Sequence, residues 1–166
     1  MFQFTCKDID GSEVNLASVC KDKKCILIVN VASKCAKTKQ NYTELVELYS
    51  RYASKGLQIL AFPSNVNGQE PATNDKIKEF ALKRNVTFPL FAKIDVNGPA
   101  ADPVYKFLRT NIEMEGTKDE TVEGIKAGKI STNFAKFLVD FDGKVKYYFK
   151  PSLSPLSFET QIKAML

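Results

Sequence analysis

The run CILIVNVAS, from Cys25 to Ser33, constrains the fold more than any other stretch of the chain. It is apolar and β-branched, and it lacks the in-out alternation of a strand with one wet face. Such a run fits a strand buried on both sides, in a sheet covered by helices above and below. Helical spacing begins soon after it. From Lys37 onward, Tyr42, Leu45, Val46, Tyr49 and Tyr52 fall on one stripe, and Gly56 supplies the stop. A second unit of the same kind follows: LQILAFP reads as a strand, a Gly/Pro/Asn loop comes next, and Thr73 to Asn85 carries Ile77, Phe80, Ala81 and Leu82 on an apolar helix face. Strand–helix units in succession predict parallel strands joined by crossover helices.

The flanks read differently. FQFTCKDIDGSEVNL alternates around Asp10-Gly11 and FAKFLVDFDGKVKYYFK alternates around Asp142-Gly143, both hairpin signals. Between them, Pro89 opens a short strand near Leu90 to Ile94, and Pro103 starts a short helix through Arg109. Asn111 to Ser131 is polar and reads as a long surface loop, with the acidic segment NIEMEGTKDETVEG expected to be mobile. Ser154-Pro155 predicts an N-cap and first turn of a closing helix, with Leu156, Ile162 and Leu166 available for its buried face. The order predicts an α/β chain over residues 1–166: one domain, with a thioredoxin-like mixed sheet flanked by helices and an N-terminal β-hairpin. Ligands of such sheets bind beyond the carboxyl ends of the strands, the zone in which Cys35 falls.

Composition removes several chemistries. With His 0, neither Ser-His-Asp nor Cys-His activation is open to the chain, nor is any zinc site that needs imidazole. The excess of 24 Lys+Arg over 19 Asp+Glu is spread along the length, without the run that marks a nucleic-acid partner. The longest strictly apolar stretch, Cys25 to Val29, falls far short of the roughly 20 residues that span a bilayer. The N-terminal residues show neither a positive leader nor an apolar core of a secretory signal. Cys6, Cys20, Cys25 and Cys35 contain no CxxC pair, so structural zinc is not expected. Free thiols in a reducing compartment are expected instead, with a cytoplasmic location as the default.

Cys25 heads an apolar strand and reads as a small buried hydrophobe. Cys35 differs: Ser33, Lys34 and Lys37 surround it, and a strand-to-helix turn carries it. There the helix dipole, unpaired backbone N–H groups and nearby lysines favour thiolate over thiol. Thiolate attack on a peroxide or disulfide suits this setting better than acyl transfer does.

Five ordered motifs then resemble the glutathione peroxidase family. They are NVASKCAKT with NYTEL, ILAFPSN with GQEP, FPLFAKIDVNG, NFAKFLVDFDGKV, and the opening KDIDGSEVNL. The resemblance covers nearly the whole chain and is nearest in pattern to the monomeric phospholipid-hydroperoxide branch. It implies that Cys35 is the peroxidatic residue, oxidised to a sulfenic acid by hydrogen peroxide or organic or lipid hydroperoxides and returned by thiols. It also implies no bound cofactor, with glutathione or a thioredoxin-type protein as reductant. A monomer is expected, with peripheral contact to membrane lipids where lysines ring the thiol.

The departures are specific. The family's active-site Gln is absent, with Val66 in its place or the residue deleted from a loop one residue short. Its Trp is Thr132, and of the family's Cys/Gln/Trp/Asn group only Asn133 accompanies Cys35. Gln69 is expected to be a solvated loop or helix-entry residue, unless the shortened loop repacks and brings it in. The cysteines that resolve the thioredoxin-dependent members are missing, since this chain has Ala81 and Leu82 in the helix and Ser64 in the FPSN motif. Cys25 lies at the far end of the same strand as Cys35, too distant for a disulfide, and Cys20 is little better placed. The docking of the hairpin that carries Cys6 is not fixed by the sequence. A one-cysteine cycle with an external thiol is therefore expected. The alternative is a catalytically weakened member that serves as a redox sensor or interaction protein, and a general disulfide oxidoreductase ranks behind both.

Overall fold

The computed structural model describes residues 1–114, 120–122 and 124–166. Its central sheet has the order β4-β3-β7-β8. The strands are β3 (Cys25–Val31), β4 (Leu57–Pro63), β7 (Lys136–Asp140) and β8 (Val145–Phe149). β3 pairs parallel with β4, antiparallel with β7, and β7 pairs antiparallel with β8. Every residue of β3 and β4 is buried, as their uninterrupted apolar runs require. Ahead of the sheet, β1 (Thr5–Lys7) and β2 (Glu13–Asn15) form the N-terminal hairpin, and Gly11 takes the positive φ of its turn at +85°.

Two apolar clusters lie on opposite faces of the sheet. One gathers Ile26, Ile28, Leu60, Phe62, Phe137 and Val139 under the helix α4 (Pro103–Thr110) and the N-terminal hairpin. The other gathers Leu27, Val29, Ile59 and Leu138 under α2 (Thr38–Tyr52) and α5 (Glu159–Met165). A short helix, α1 (Leu16–Val19), follows the hairpin, with its first turn held by Asn15 Oδ1 accepting from Ala17 N–H at 2.8 Å. α2 ends at a 3-10 turn and at Gly56, whose φ of +113° no other residue adopts cheaply. Its sequence-derived stripe was incomplete, since Thr38, Asn41 and Leu48 are buried alongside Tyr42, Leu45 and Tyr52. α3 (Asn74–Leu82) buries Ile77 and Ala81.

Three local expectations are corrected. Leu90 to Ile94 makes isolated bridges to β4 and to Asp8 but no strand. Its backbone is shared between two partners: Phe91 N–H donates to Ala61 O and Ala92 N–H to Lys7 O, so neither ladder extends. The stretch 111–131 is more than a surface loop, for β5 (Glu120–Val122) pairs with β6 (Ile125–Ala127) and Met114, Val122, Ala127 and Ile130 are buried. Buried Arg109 anchors it, donating through Nε to Gly128 O at 2.8 Å and through Nη1 to Val96 O at 3.1 Å. The expected mobility of the acidic segment bears in part on residues 115–119 and 123, which lie outside the described ones. The closing helix begins as a 3-10 turn over Pro155–Phe158, and Ser154 makes no side-chain cap. Its Leu156 N–H is satisfied by Glu44 Oε1 of α2 at 2.9 Å, so a tertiary partner takes the place of the local cap.

Candidate active site

Cys35 sits on the turn between β3 and α2 and is the one cysteine that is not buried; Cys6, Cys20 and Cys25 are. Thr38, the first residue of α2, builds that turn. Its Oγ1 donates to Ala32 O at 2.8 Å at the strand end and accepts from Cys35 N–H at 3.1 Å, while its own N–H donates to Cys35 O at 3.0 Å. The helix N-cap is Lys37, so Cys35 stands two residues ahead of the cap and its own N–H is already taken. Lys34 and Lys39 are exposed and Lys37 is half-buried.

The GQEP loop is clamped to this turn. Glu70, fully buried, accepts from Ser33 N–H at 2.8 Å and from Ser33 Oγ at 2.6 Å, and Gln69 O accepts from Lys34 N–H at 3.0 Å. The loop passes through left-handed Asn67 (φ +57°) and Gly68 (φ +70°), and Asn67 Nδ2 ties it to Ser131 O at 2.9 Å. This repacking brings Gln69 inward, contrary to the expectation of a solvated residue. Its Oε1 accepts from Asn133 Nδ2 at 3.1 Å, from Thr132 Oγ1 at 3.1 Å and from Asn133 N–H at 3.4 Å. Val66 instead packs against the apolar cluster beneath α4.

Asn133 is fully buried and fully engaged. Its Nδ2 donates to Ser64 O at 2.9 Å and to Gln69 Oε1, while Oδ1 accepts from Asn30 Nδ2 at 3.0 Å. Phe134, next in the chain, takes φ +73° and donates its N–H to Asn30 O at 2.6 Å. A left-handed aromatic residue costs on the order of 1–3 kcal/mol, and such strain tends to gather at functional sites. Here it turns the chain so that Asn133 faces Ser64 and Gln69. Gln69, Thr132 and Asn133 thus form one hydrogen-bonded group, joined to Cys35 through the backbone of residues 33–35. Among the described residues, Cys35 Sγ has no hydrogen bond to any of the three.

Sequence reasoning missed Asn30, Thr38, Glu70 and Lys136. Asn30 and Lys136 had a signal, each being a polar residue inside an otherwise apolar strand. Burial pushes the Lys136 ammonium down from the ordinary 10.5 to about 7, with Glu44 pulling it back up, Lys37 lowering it and Cys35 raising it. Burial pushes the thiols of Cys6, Cys20 and Cys25 up to about 12. Cys6 and Cys20 belong to the cluster under α4, whereas Cys35 packs against the cluster under α2. Cys25 shares that second cluster but pairs with Asp140 at the opposite end of β3. None of the other three cysteines lies both on this face of the sheet and at this end of β3. Among the described residues, no three His, Cys, Asp or Glu side chains converge as metal ligands, and no helix is long and apolar enough to cross a membrane.

An accessible thiol at the strand-to-helix turn of such a sheet defines a thioredoxin-like thiol protein. A thiol:disulfide interchange protein of the thioredoxin family from Chlorobium tepidum shares the fold, with a TM-score of 0.66 and 16% identity over 98% of this chain and 92% of that one. The narrower class comes from sequence: the glutathione peroxidase family model matches residues 1–109, and the chain belongs to that family. Peroxide reduction through a thiol is the chemistry of the class. T. cruzi GPX1 superposes with a TM-score of 0.72 and 31% identity, covering 99% of this chain and 94% of its own. The probable phospholipid hydroperoxide glutathione peroxidase 6, mitochondrial, of Arabidopsis thaliana is 48% identical over all of this chain and 67% of its own length. The putative glutathione peroxidase 7, chloroplastic, of the same plant is 46% identical over 98% of this chain and 66% of its own length. The chain therefore spans about two thirds of the length of these two relatives. The mitochondrial and chloroplastic compartments of these relatives overturn the cytoplasmic expectation. Reduced thiols are compatible with several compartments, so the state of the cysteines had no power to choose among them.

Proposed function

We propose that this protein is a one-cysteine thiol peroxidase and that Cys35 is its peroxidatic residue. The observation that carries the reading is the single accessible cysteine, on a turn clamped to the Gln69–Thr132–Asn133 group. The Cys35 thiolate attacks the nearer peroxide oxygen; an S–O bond forms, the O–O bond breaks, and the leaving oxygen takes a proton to depart as water or an alcohol. The resulting sulfenic acid condenses with an external thiol, releasing water and forming a mixed disulfide. A second thiol attacks that bond, regenerating Cys35 and leaving with the oxidised reductant. Glutathione or a thioredoxin-type thiol fits this cycle, because Cys6 and Cys20 sit across the sheet and Cys25 at the far end of the strand.

In this reading Asn133 works by position. Both its Nδ2 hydrogens are committed, so it holds Gln69, whose Nε2 is the amide donor left to face a leaving oxygen. Gln69 would then serve where the family's Gln is missing. Residues 1–166 act as one domain, since both apolar clusters are built on the same sheet. We further read the protein as a monomer that meets lipid surfaces peripherally through Lys34, Lys37 and Lys39. Loss of lipid-hydroperoxide turnover with rising salt would support that contact, and indifference to salt would remove it.

The deciding experiment is hydroperoxide consumption with glutathione, with thioredoxin and with no thiol, beside Cys35→Ser. Thiol-dependent turnover that disappears in the variant is expected. Rates no better than free thiol in every arm would replace the peroxidase with a redox sensor on the same fold.

A further inference from the structure

Asn30 is fully buried in β3, where it lies opposite Phe62 of β4 in a strand otherwise made of apolar side chains. Only half of its amide is used. Nδ2 donates to Asn133 Oδ1 at 3.0 Å and to Thr132 O at 3.4 Å, whereas Oδ1, also buried, has no hydrogen-bond partner among the described residues. From Asn133 the row continues in one direction: its Nδ2 donates to Gln69 Oε1 at 3.1 Å and to Ser64 O at 2.9 Å. Each amide meets a backbone group that has no choice of role. The carbonyls of Thr132 and Ser64 can only accept, so Nδ2 of Asn30 and of Asn133 faces them, and Asn133 N–H can only donate, so Gln69 turns Oε1 to it at 3.4 Å. Three amides therefore point the same way, from Asn30 through Asn133 to Gln69, and half-buried Gln69 stands at the outer end.

An amide inside a buried strand carries a desolvation penalty that valine or leucine would not, and here its carbonyl oxygen recovers none of it. What the site keeps is the donor. We infer that Asn30 is a positioning residue for peroxide reduction: by donating to Asn133 Oδ1 it fixes the direction of the amide row, so that Gln69 is held by its Oε1 and has Nε2 left to donate. With an acceptor in place of that donor, Asn133 turns Nδ2 toward position 30, its Oδ1 meets Gln69 Oε1, and Gln69 turns over to present Oε1 instead. An acceptor facing the leaving oxygen of a peroxide repels the charge that a donor would stabilise. The effect on turnover rests on the role proposed above for Gln69, while the direction of the row does not.

The test is Asn30→Asp, which keeps the shape of the side chain and removes the donor when it ionises. Protonated, its carboxyl O–H donates to Asn133 Oδ1 and restores the row, and burial raises such a carboxyl into an accessible range of pH. Direction is read without turnover, from solvent exchange of the side-chain amide protons in 15N-labelled protein. In the wild type those of Asn30 and Asn133 are expected to exchange slowly and those of Gln69 fast; in Asn30→Asp, raising the pH from about 5 to about 8 should slow exchange at Gln69 relative to the wild type. Unchanged Gln69 exchange in the folded variant overturns the inference. Should Asn30→Asp not fold, the wild type decides, and slow exchange at Gln69 there overturns it. Over the same pH range kcat of Asn30→Asp relative to wild type should fall about 10²-fold, and with Gln69→Ala in both proteins the ratio should stay flat. An equal fall in the Gln69→Ala background would mark a general structural loss and remove Asn30 as a positioning residue. A row that reverses with kcat unchanged would sink the role proposed for Gln69 and leave Asn30 as the residue that orients it.

Discussion

The two ends of β3 carry the same functional group in opposite circumstances. Cys25, at the first residue, is fully buried, its thiol is pushed up to about 12 by burial, and its Sγ lies 3.8 Å from Met165 Sδ. Cys35, four residues beyond the last residue of the strand, is partly exposed, and its neighbour Lys34 donates its N–H to Gln69 O at 3.0 Å. At one end the protein has removed everything that stabilises a thiolate; at the other it has gathered buried polar groups at a cost in desolvation and strain. In the proposed reading, reactivity belongs to the end of the strand, where the chain leaves the sheet and backbone and side-chain donors become available.

The sharpest way to break this comparison is substitution of each cysteine. Cys35→Ser should abolish thiol-dependent peroxide consumption, a loss of at least about 10³-fold, whereas Cys25→Ala should leave turnover within about twofold and cost stability alone. Comparable losses from both would make the contrast illusory. Next in size is Gln69→Ala, expected to lower kcat about 10²-fold if its Nε2 replaces the missing donor, with little change in the alkylation rate of Cys35. Asn133→Ala should approach the same loss by releasing Gln69, and the double variant should add little to either single one, a non-additivity that a thermodynamic cycle of kcat measures.

Labelling separates the two ends without mutation. In native protein a brief exposure to iodoacetamide should modify Cys35 alone, with Cys6, Cys20 and Cys25 reacting only after unfolding; equal labelling of Cys25 would show that its burial is breached. The smallest effect is on stability against pH. Lys136 has a folded value near 7 against an ordinary 10.5, so between those values the unfolded chain binds more protons and stability rises with pH. Cys6, Cys20 and Cys25 have folded values of about 12 against 9.0, so above pH 9 the unfolded chain loses protons first and stability falls. Urea midpoints should therefore climb from pH 7 to about 9 and decline beyond, and Lys136→Met should remove the climb while keeping the decline.

Much of the scaffold was legible because it depends on local pattern. The unbroken apolar runs marked β3 and β4, Asp10-Gly11 and Asp142-Gly143 marked the two hairpins, and Pro103 marked the start of α4, each by a preference that a few adjacent residues express. Cys35 was legible for the same reason, as a polar-flanked cysteine between a strand and a helix. The 3-10 opening at Pro155–Phe158 and the β5–β6 pairing were not, because Glu44 and Arg109 satisfy those backbones from distant parts of the chain.

By itself, then, the sequence determined the sheet, its helices and the one cysteine at a strand-to-helix turn, since hydrophobic period and turn chemistry act over neighbouring residues. Tertiary structure alone decided the company that cysteine keeps. The loop after β4 turned Gln69 toward Asn133, Asn133 beside left-handed Phe134 reaches Ser64 and Gln69, and strand pairing set Lys136 opposite Val29. These placements join residues more than 60 positions apart, and the free energy that selects them comes from satisfying buried polar groups together, which no single segment can do.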